Sequence, residues 1–328
     1  MPPSVNFYPI LGFNPYQGAG RLALGIVKGL ESNGISVRIY PNIHAPTLVF
    51  GYAQAFDAPH IAHTRRTAYT LMESSQPAKA LVEALNRHVE RVFVPCPPTV
   101  ESYQAHGVIV PVHAVPVGID LFGVPEPSTQ VGTHEMFTFM TYSYGEFRKG
   151  ADVVVKAFIQ HFGNDERFRL LIKAREGQIG WLALVDHPRI QFISGYQSED
   201  DWFNVLRQAD CFVFPSRAEG WGLPPREATL LGIPTIATQW LGMWDVDQWG
   251  IPLPVTETRQ CEFRLNPYNA DDALWVEPDV EQVAERMQWV VDHPLEARQI
   301  AQAGREYLLK NFTWAQVGAQ IAELMGIF

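Results

Sequence analysis

The chain has 328 residues, 47% hydrophobic and 18% charged, which is enough apolar mass for two domains with separate cores and excludes a disordered chain. The net charge of −10 lies in the second part: residues 1–125 hold 8 Lys and Arg against 7 Asp and Glu, and residues 126–328 hold 17 against 28. Overall acidity therefore weighs only mildly against a polyanionic partner such as DNA, because the first part is close to neutral. No run approaches the length of a membrane span, and Met1, Pro2, Pro3 and Ser4 lack the basic-then-apolar order of a secretory leader. Cys96, Cys211 and Cys261 have no metal-ligand spacing and leave an odd thiol, which predicts core thiols in a reducing cytoplasm.

In chain order, Tyr16, Gln17, Gly18, Ala19, Gly20 and Arg21 make a glycine-rich turn before an apolar-periodic stretch ending near Leu30, then a strand over 35–40. Gly18, Gly20 and Ala23 match a dinucleotide fingerprint. The strand runs into Tyr40, Pro41 and Asn42, however, with no acid for an adenosine ribose, so a nicotinamide enzyme lacks its second requirement. Over 78–91, Lys79, Arg87 and Arg91 alternate with Glu83 and Glu90, the pattern of a solvated face and not of a lipid-surface helix. A Pro-rich polar linker over 125–132 divides the chain, and alternating strand and helix patterns on both sides predict two parallel α/β sheets. Val153, Val154, Ala157, Phe158 and Phe162 recur at helical spacing, which puts Arg148 and Lys149 at a helix start. A basic pair there opposes the helix dipole: alone it reads as two solvated charges, and beside the later loop of Glu219 and Glu227 as a clamp for a bound anion.

Residues 210–214 read as a short buried parallel strand. Pro224 and Pro225 suit the first turn of a helix that Gly232 ends. The loop between lies at the carboxyl end of a strand and the amino end of a helix, where open α/β sheets place ligands and where anions are favoured. Gly220 and Gly222 allow close backbone approach. Glu219 projects from the turn as an acceptor for hydroxyls, and Glu227, eight positions on, is placed to accept from a diol. A hydroxyl-rich, phosphate-bearing ligand fits this set. Asp245 and Asp247 have the spacing of a metal-binding pair and are read as a surface loop.

The 216–235 segment resembles the donor-binding signature of the retaining glycosyltransferases of GT-B fold, family 4. The resemblance implies that Glu219 lies by the donor sugar, that Glu227 holds the nucleotide ribose, and that the amides of Gly220, Trp221, Gly222 and Leu223 face sugar hydroxyls and phosphate. Residues 144–158 look like the family's basic clamp, with Arg148 and Lys149 on the donor diphosphate; Ser143 stands where the family often has a further arginine. The turn at Gly18 and Gly20 resembles the one facing the donor phosphates and acceptor, and Gly195 and Tyr196 the turn against which the base lies. Residues 91–96, 106–108 and 115–120 resemble the end of the first domain, and 274–279 and 312–314 the closing elements. The match is weakest over 42–67 and 242–272. A Met-Glu element like Met72 and Glu73 occurs near the cleft in some members, so Glu73 either orients an acceptor hydroxyl or caps the helix after Pro77. His44, His60 and His63 are candidates for the histidine that many relatives place by the donor sugar.

The implied architecture is α/β: two Rossmann-like parallel-sheet domains facing across a cleft, a first over 1–125 on the acceptor side, a second over 126–310 for the nucleotide sugar, and a final helix over 311–328 crossing back. The implied activity is hexosyl transfer with retention from a UDP- or GDP-linked sugar to a hydroxyl acceptor, a glycan by the family's habit. A metal is not needed: Arg148, Lys149 and helix amino termini would stabilise the leaving diphosphate, which itself takes the acceptor proton. The expected cofactor set is empty apart from the nucleotide sugar as co-substrate. Two alternatives stay open: transfer to a modified base in DNA, for which nothing in the sequence reads a base, and a non-catalytic nucleotide-sugar-binding protein, for which Ser143 is the only support.

Overall fold

A computed structural model of the chain describes residues 3–14, 18–40, 45–51, 56, 66–121, 123–129, 131–143, 146–174, 180–194, 199–255, 257–261 and 272–327. The first sheet is built from β1 (Ser4–Pro9), β2 (Ser36–Ile39), β3 (Thr47–Phe50), β4 (Arg66–Tyr69), β5 (Arg91–Val94) and β6 (Val112–Ala114). Its order is β2-β1-β3-β4-β5-β6, every pair parallel. Helices α1 (Gly18–Ser32), α2 (Lys79–His88) and α3 (Pro97–Ala105) are among its connections.

The second sheet contains β7 (Phe137–Ser143), β8 (Phe168–Ala174), β9 (Ile190–Ile193), β10 (Cys211–Phe214), β11 (Thr235–Thr238) and β12 (Ile251–Leu253) in the order β12-β11-β10-β7-β8-β9, again parallel. Its helices are α4 (Ala151–His161), α5 (Glu199–Leu206), α6 (Leu223–Leu230) and α7 (Val246–Trp249). Both strand orders reverse direction beside the first strand, the topological switch point at which the carboxyl-end loops part and leave a crevice. In the second sheet the loops flanking that point follow β7 and β10. Strand β10 is buried along its whole length, as expected of an apolar run covered by helices on both faces.

After β12 comes a two-stranded antiparallel ribbon, β13 (Thr258–Gln260) with β14 (Leu274–Val276), then α8 (Val280–Asp292), α9 (Pro294–Asn311) and α10 (Trp314–Met325). Helix α10 crosses back onto α1 because small residues let the two backbones touch. A Cβ on Gly318 would stand 2.0 Å from the Gly29 carbonyl oxygen, and one on Gly29 would stand 2.3 Å from that of Trp314. The fully buried Trp314 ring fills the space over Gly25 and Gly118. A capping box of Thr313 and Gln316 starts α10, and Asp120 Oδ1 accepts from the Trp314 amide at 2.7 Å. One apolar cluster thus runs from the first sheet through Trp314, Phe312 and Trp221 to the second. Cys96, Cys211 and Cys261 are buried thiols. Among the described residues no helix is long and apolar enough to cross a membrane.

Candidate active site

The loops after β7 and β10 are locked together backbone to backbone. Gly150 adopts a left-handed conformation (φ 73°), and a Cβ there would meet the Pro215 carbonyl oxygen at 1.9 Å, so only glycine permits this approach. The Arg217 amide donates to the Arg148 carbonyl at 2.7 Å, and Ser216 Oγ donates to the same oxygen at 3.0 Å. The short 3-10 turn Phe147–Lys149 is thereby presented to the 216–222 loop. Gly222, at φ 77°, caps α6, whose first positions carry Pro224 and Pro225.

Glu219 is buried, and its Oε1 accepts from Lys149 Nζ at 2.5 Å, Ser216 Oγ at 2.9 Å and Arg148 Nη1 at 3.3 Å. Burial pushes its carboxyl up, but the charges of Lys149 and Arg148 and the hydrogen bonds from Lys149 and Ser216 outweigh it and hold the group below the ordinary carboxylate range. Arg148 also donates to the Ala218 carbonyl at 2.8 Å and lies 3.1 Å from Glu73 Oε1 of the first domain and 3.6 Å from Glu146. Glu73, Arg148, Lys149 and Glu219 therefore form one cluster across the cleft. Helix α2 has Ala78 at its N-cap with no side-chain cap, so Glu73 faces the cleft and does not cap it.

Glu227 is 1% exposed, and both of its oxygens have partners. Trp202 Nε1 donates to Oε2 at 2.8 Å, and Arg21 from the first domain pairs with Oε1. Tyr142 meets the Trp202 ring edge-on at 5.6 Å, so an aromatic wall stands beside this carboxylate. Ser143, at the end of β7, is fully buried. Neither Arg21 nor Trp202 was assigned a role from the sequence; a tryptophan in the first turn of α5 and an arginine next to the glycine turn were the signals available.

The remaining expected donor residues divide. Gly20 is required sterically, since a Cβ would stand 2.0 Å from the Asn14 carbonyl oxygen, while Gly18 faces open space. Gly220 abuts the first domain, 3.5 Å from its Cβ position to the Met72 carbonyl oxygen. The Trp221 side chain is buried against Trp244, Phe312 and Arg226, so it is a packing residue. Leu223 opens α6. Gly195, Tyr196, Tyr16, Gln17, His44, His60 and His63 lie outside the described residues.

The reading of Asp245 as part of a surface loop is corrected. Its carboxylate is buried 2.6 Å from Arg226 Nη2, accepts from Trp249 Nε1 at 3.0 Å and receives Tyr307 OH at 3.4 Å. Arg226 is wholly inaccessible, sandwiched by Trp221 at 4.0 Å and Trp249 at 4.9 Å, and a buried guanidinium requires a counter-ion. Burial pulls its pKa down and Asp245 opposes that. Asp245 is this counter-ion; Asp247 bonds Gln239 near the surface.

A family model described as "Family 4 Glycosyltransferase in conflict systems" matches residues 100–321. The chain belongs to this glycosyltransferase family. Among solved structures, HepE of Anabaena in complex with UDP-glucose superposes with a TM-score of 0.73 at 14% identity over 99% of this chain and 100% of that one. Sucrose-phosphate synthase of Thermosynechococcus elongatus gives 0.69 at 16% identity over 98% of each chain. These likenesses establish the GT-B fold. A GDP-mannose-dependent monoacylated alpha-(1-6)-phosphatidylinositol monomannoside mannosyltransferase of Corynebacterium glutamicum is 26% identical over 189 residues, 54% of this chain and 44% of the relative. The lipopolysaccharide core biosynthesis mannosyltransferase LpsB of Rhizobium meliloti is 44% identical over 50 residues, 15% of this chain and 13% of the relative. The chain thus matches less than half the length of either curated relative.

Proposed function

We propose that this family 4 member transfers a hexosyl group from a UDP- or GDP-linked sugar to a hydroxyl of a glycan acceptor, with retention and without a metal. The convergence of Glu73, Arg148, Lys149 and Glu219 at the mouth of the switch point, with Glu227 in the helix that follows the loop, carries the reading. The UDP-glucose of the HepE complex and the GDP-mannose dependence of the Corynebacterium relative support a nucleotide sugar, with either uridine or guanosine as the donor base.

In this scheme Glu227 accepts from the ribose hydroxyls beside the Trp202 and Tyr142 rings, and Glu219 accepts from hydroxyls of the donor sugar. Arg148 and Lys149, which flank Glu219, direct their charge onto the diphosphate as its bond to the anomeric carbon breaks. Glu73 orients the acceptor hydroxyl. Its oxygen bonds to the anomeric carbon on the face the diphosphate leaves, its proton passes to a diphosphate oxygen, and a nucleoside diphosphate and a glycoside result. Two fixed cations do here what a bound metal does for other transferases.

The test is transfer from α-linked UDP- and GDP-hexoses to a panel of glycans in excess EDTA, with the product's anomeric configuration read by proton NMR. An α-glycoside formed at the same rate with and without EDTA is expected. A β-product removes the retaining scheme, and loss of the rate on chelation removes metal independence.

A further inference from the structure

Outside the reacting cluster, the ribbon of β13 and β14 touches both halves of the cleft. Toward the second domain, the Val276 amide donates to the Arg217 carbonyl at 3.2 Å, and the Trp275 ring packs with Ala218, Cys261, Ala273 and Trp240. Ala218 immediately precedes Glu219. Toward the first domain, Trp275 Nε1 donates to the Glu73 carbonyl at 3.0 Å, and the Ser75 amide donates to the Leu274 carbonyl at 3.0 Å. The Leu274 amide returns a bond to Ser75 Oγ at 2.8 Å, and Gln76 Nε2 reaches Asp272 Oδ1 at 2.6 Å. Ser102 Oγ holds the Ser75 carbonyl from α3 at 2.7 Å.

We propose that Trp275 is a positioning residue for the transfer reaction: its indole ties the Glu73 backbone to the residue before Glu219 and so sets the Glu73 carboxylate against Arg148 when the cleft is closed. The inference rests on the role given to Glu73 above. Trp275 is 2% exposed, so its ring has one orientation and its N–H one protein acceptor. The chain 202 positions away is held through a main-chain atom, which fixes the origin of the Glu73 side chain without engaging its carboxylate, which faces Arg148. Reacting groups tolerate little displacement, a shift of about 1 Å costing about 10²-fold in rate. Nucleotide binding, by contrast, centres on Glu227, whose partners are Trp202 and Arg21 and not the ribbon.

The experiment compares Trp275→Phe, Glu73→Gln and the double variant in the intact protein, measuring kcat, donor KM and calorimetric affinity for UDP and GDP. Phenylalanine keeps an aromatic ring in the cluster but deletes the N–H together with part of the buried indole, so the melting temperature of the variant is measured beside its rate. The expected result for Trp275→Phe is kcat down about tenfold with nucleotide affinity unchanged, and a double variant no slower than Glu73→Gln alone, since both changes act through one carboxylate. Ser75→Ala, which removes the acceptor of the Leu274 amide without touching the aromatic cluster, lowers kcat in the same sense and keeps the test decisive if Trp275→Phe unfolds. Losses that multiply in the double variant, or weakened nucleotide binding with kcat intact, overturn the proposal. If Glu73→Gln is impaired while Trp275→Phe and Ser75→Ala are not, only this inference fails. If Glu73→Gln keeps full kcat, the role of Glu73 in the transfer scheme fails first.

Discussion

Lys149→Ala separates the catalytic use of the basic pair from its structural use. Lys149 Nζ stands 2.5 Å and Arg148 Nη1 3.3 Å from the same oxygen of Glu219. At an effective dielectric constant of about 20, these distances correspond to gross attractions of about 7 and about 5 kcal/mol. Removing Lys149 therefore leaves the buried carboxylate a guanidinium of comparable strength and the Ser216 hydroxyl, and the net cost is about 1–2 kcal/mol, below the roughly 3–5 kcal/mol of a buried charge left alone. A melting temperature lowered by about 3–6 °C follows. The rate responds differently, because in the transition state the ammonium acts on the leaving diphosphate: loss of one such donor lowers kcat about 10²–10³-fold. Protonation supplies a third reading. Glu219 lies below its ordinary value of 4.5, so the stability it contributes is full above that value and is lost as pH falls through the folded value. Without Lys149 the folded value rises, and the variant loses stability at a higher pH than the parent. Thermal melts from pH about 7 to about 3, run beside transfer assays, measure all three. A folded variant with the parental rate refutes the clamp, and an acid limb that does not move refutes the electrostatic coupling.

Two predictions concern the frame that holds the site. Gly318→Ala puts a methyl group against the Gly29 backbone at 2.0 Å, where no side chain can give way, and parts α10 from α1; a loss of about 2–3 kcal/mol in denaturant melts is expected, and an unchanged midpoint contradicts the close packing. Arg226→Met leaves Asp245 buried without its cation and costs about 3–5 kcal/mol, most of which Asp245→Leu in the same chain restores. Additive losses in that pair mean that the two residues do not act as a buried ion pair.

The legible part of the site was the local part. Glycine, proline and carboxylate follow one another within residues 216–232, so strand end, turn and helix start could be written from neighbours alone; the basic pair Arg148 and Lys149 was compatible with two solvated charges when read alone, a reading their burial excludes. The fold was legible for the same reason: buried apolar strands alternate with amphipathic helices in each sheet. Pairings across the cleft were not. Arg21 lies 206 positions from Glu227 and Trp275 lies 202 positions from Glu73, and no periodicity connects such residues. Asp245 was misread because its counter-ion, 19 residues earlier, is an arginine in a helix whose complete burial is a property of the tertiary packing. Gly20, which resembles a phosphate-turn glycine, has a steric reason in the Asn14 backbone that no linear motif encodes. Of the two readings of Glu73, the N-cap of α2 at Ala78 excludes the helix cap, and its role toward an acceptor is the proposal made above.

The most direct trial of the nucleotide-sugar assignment is calorimetric titration of UDP, GDP and their hexose conjugates into the protein and into Glu227→Ala, in EDTA. One nucleotide class binds the parent, and affinity falls about 10- to 100-fold in the variant, as expected for losing hydrogen bonds to a charged acceptor worth about 1.5–3 kcal/mol. A folded protein that binds none of them, or a Glu227→Ala variant that binds as well as the parent, contradicts the placement of the donor at this carboxylate.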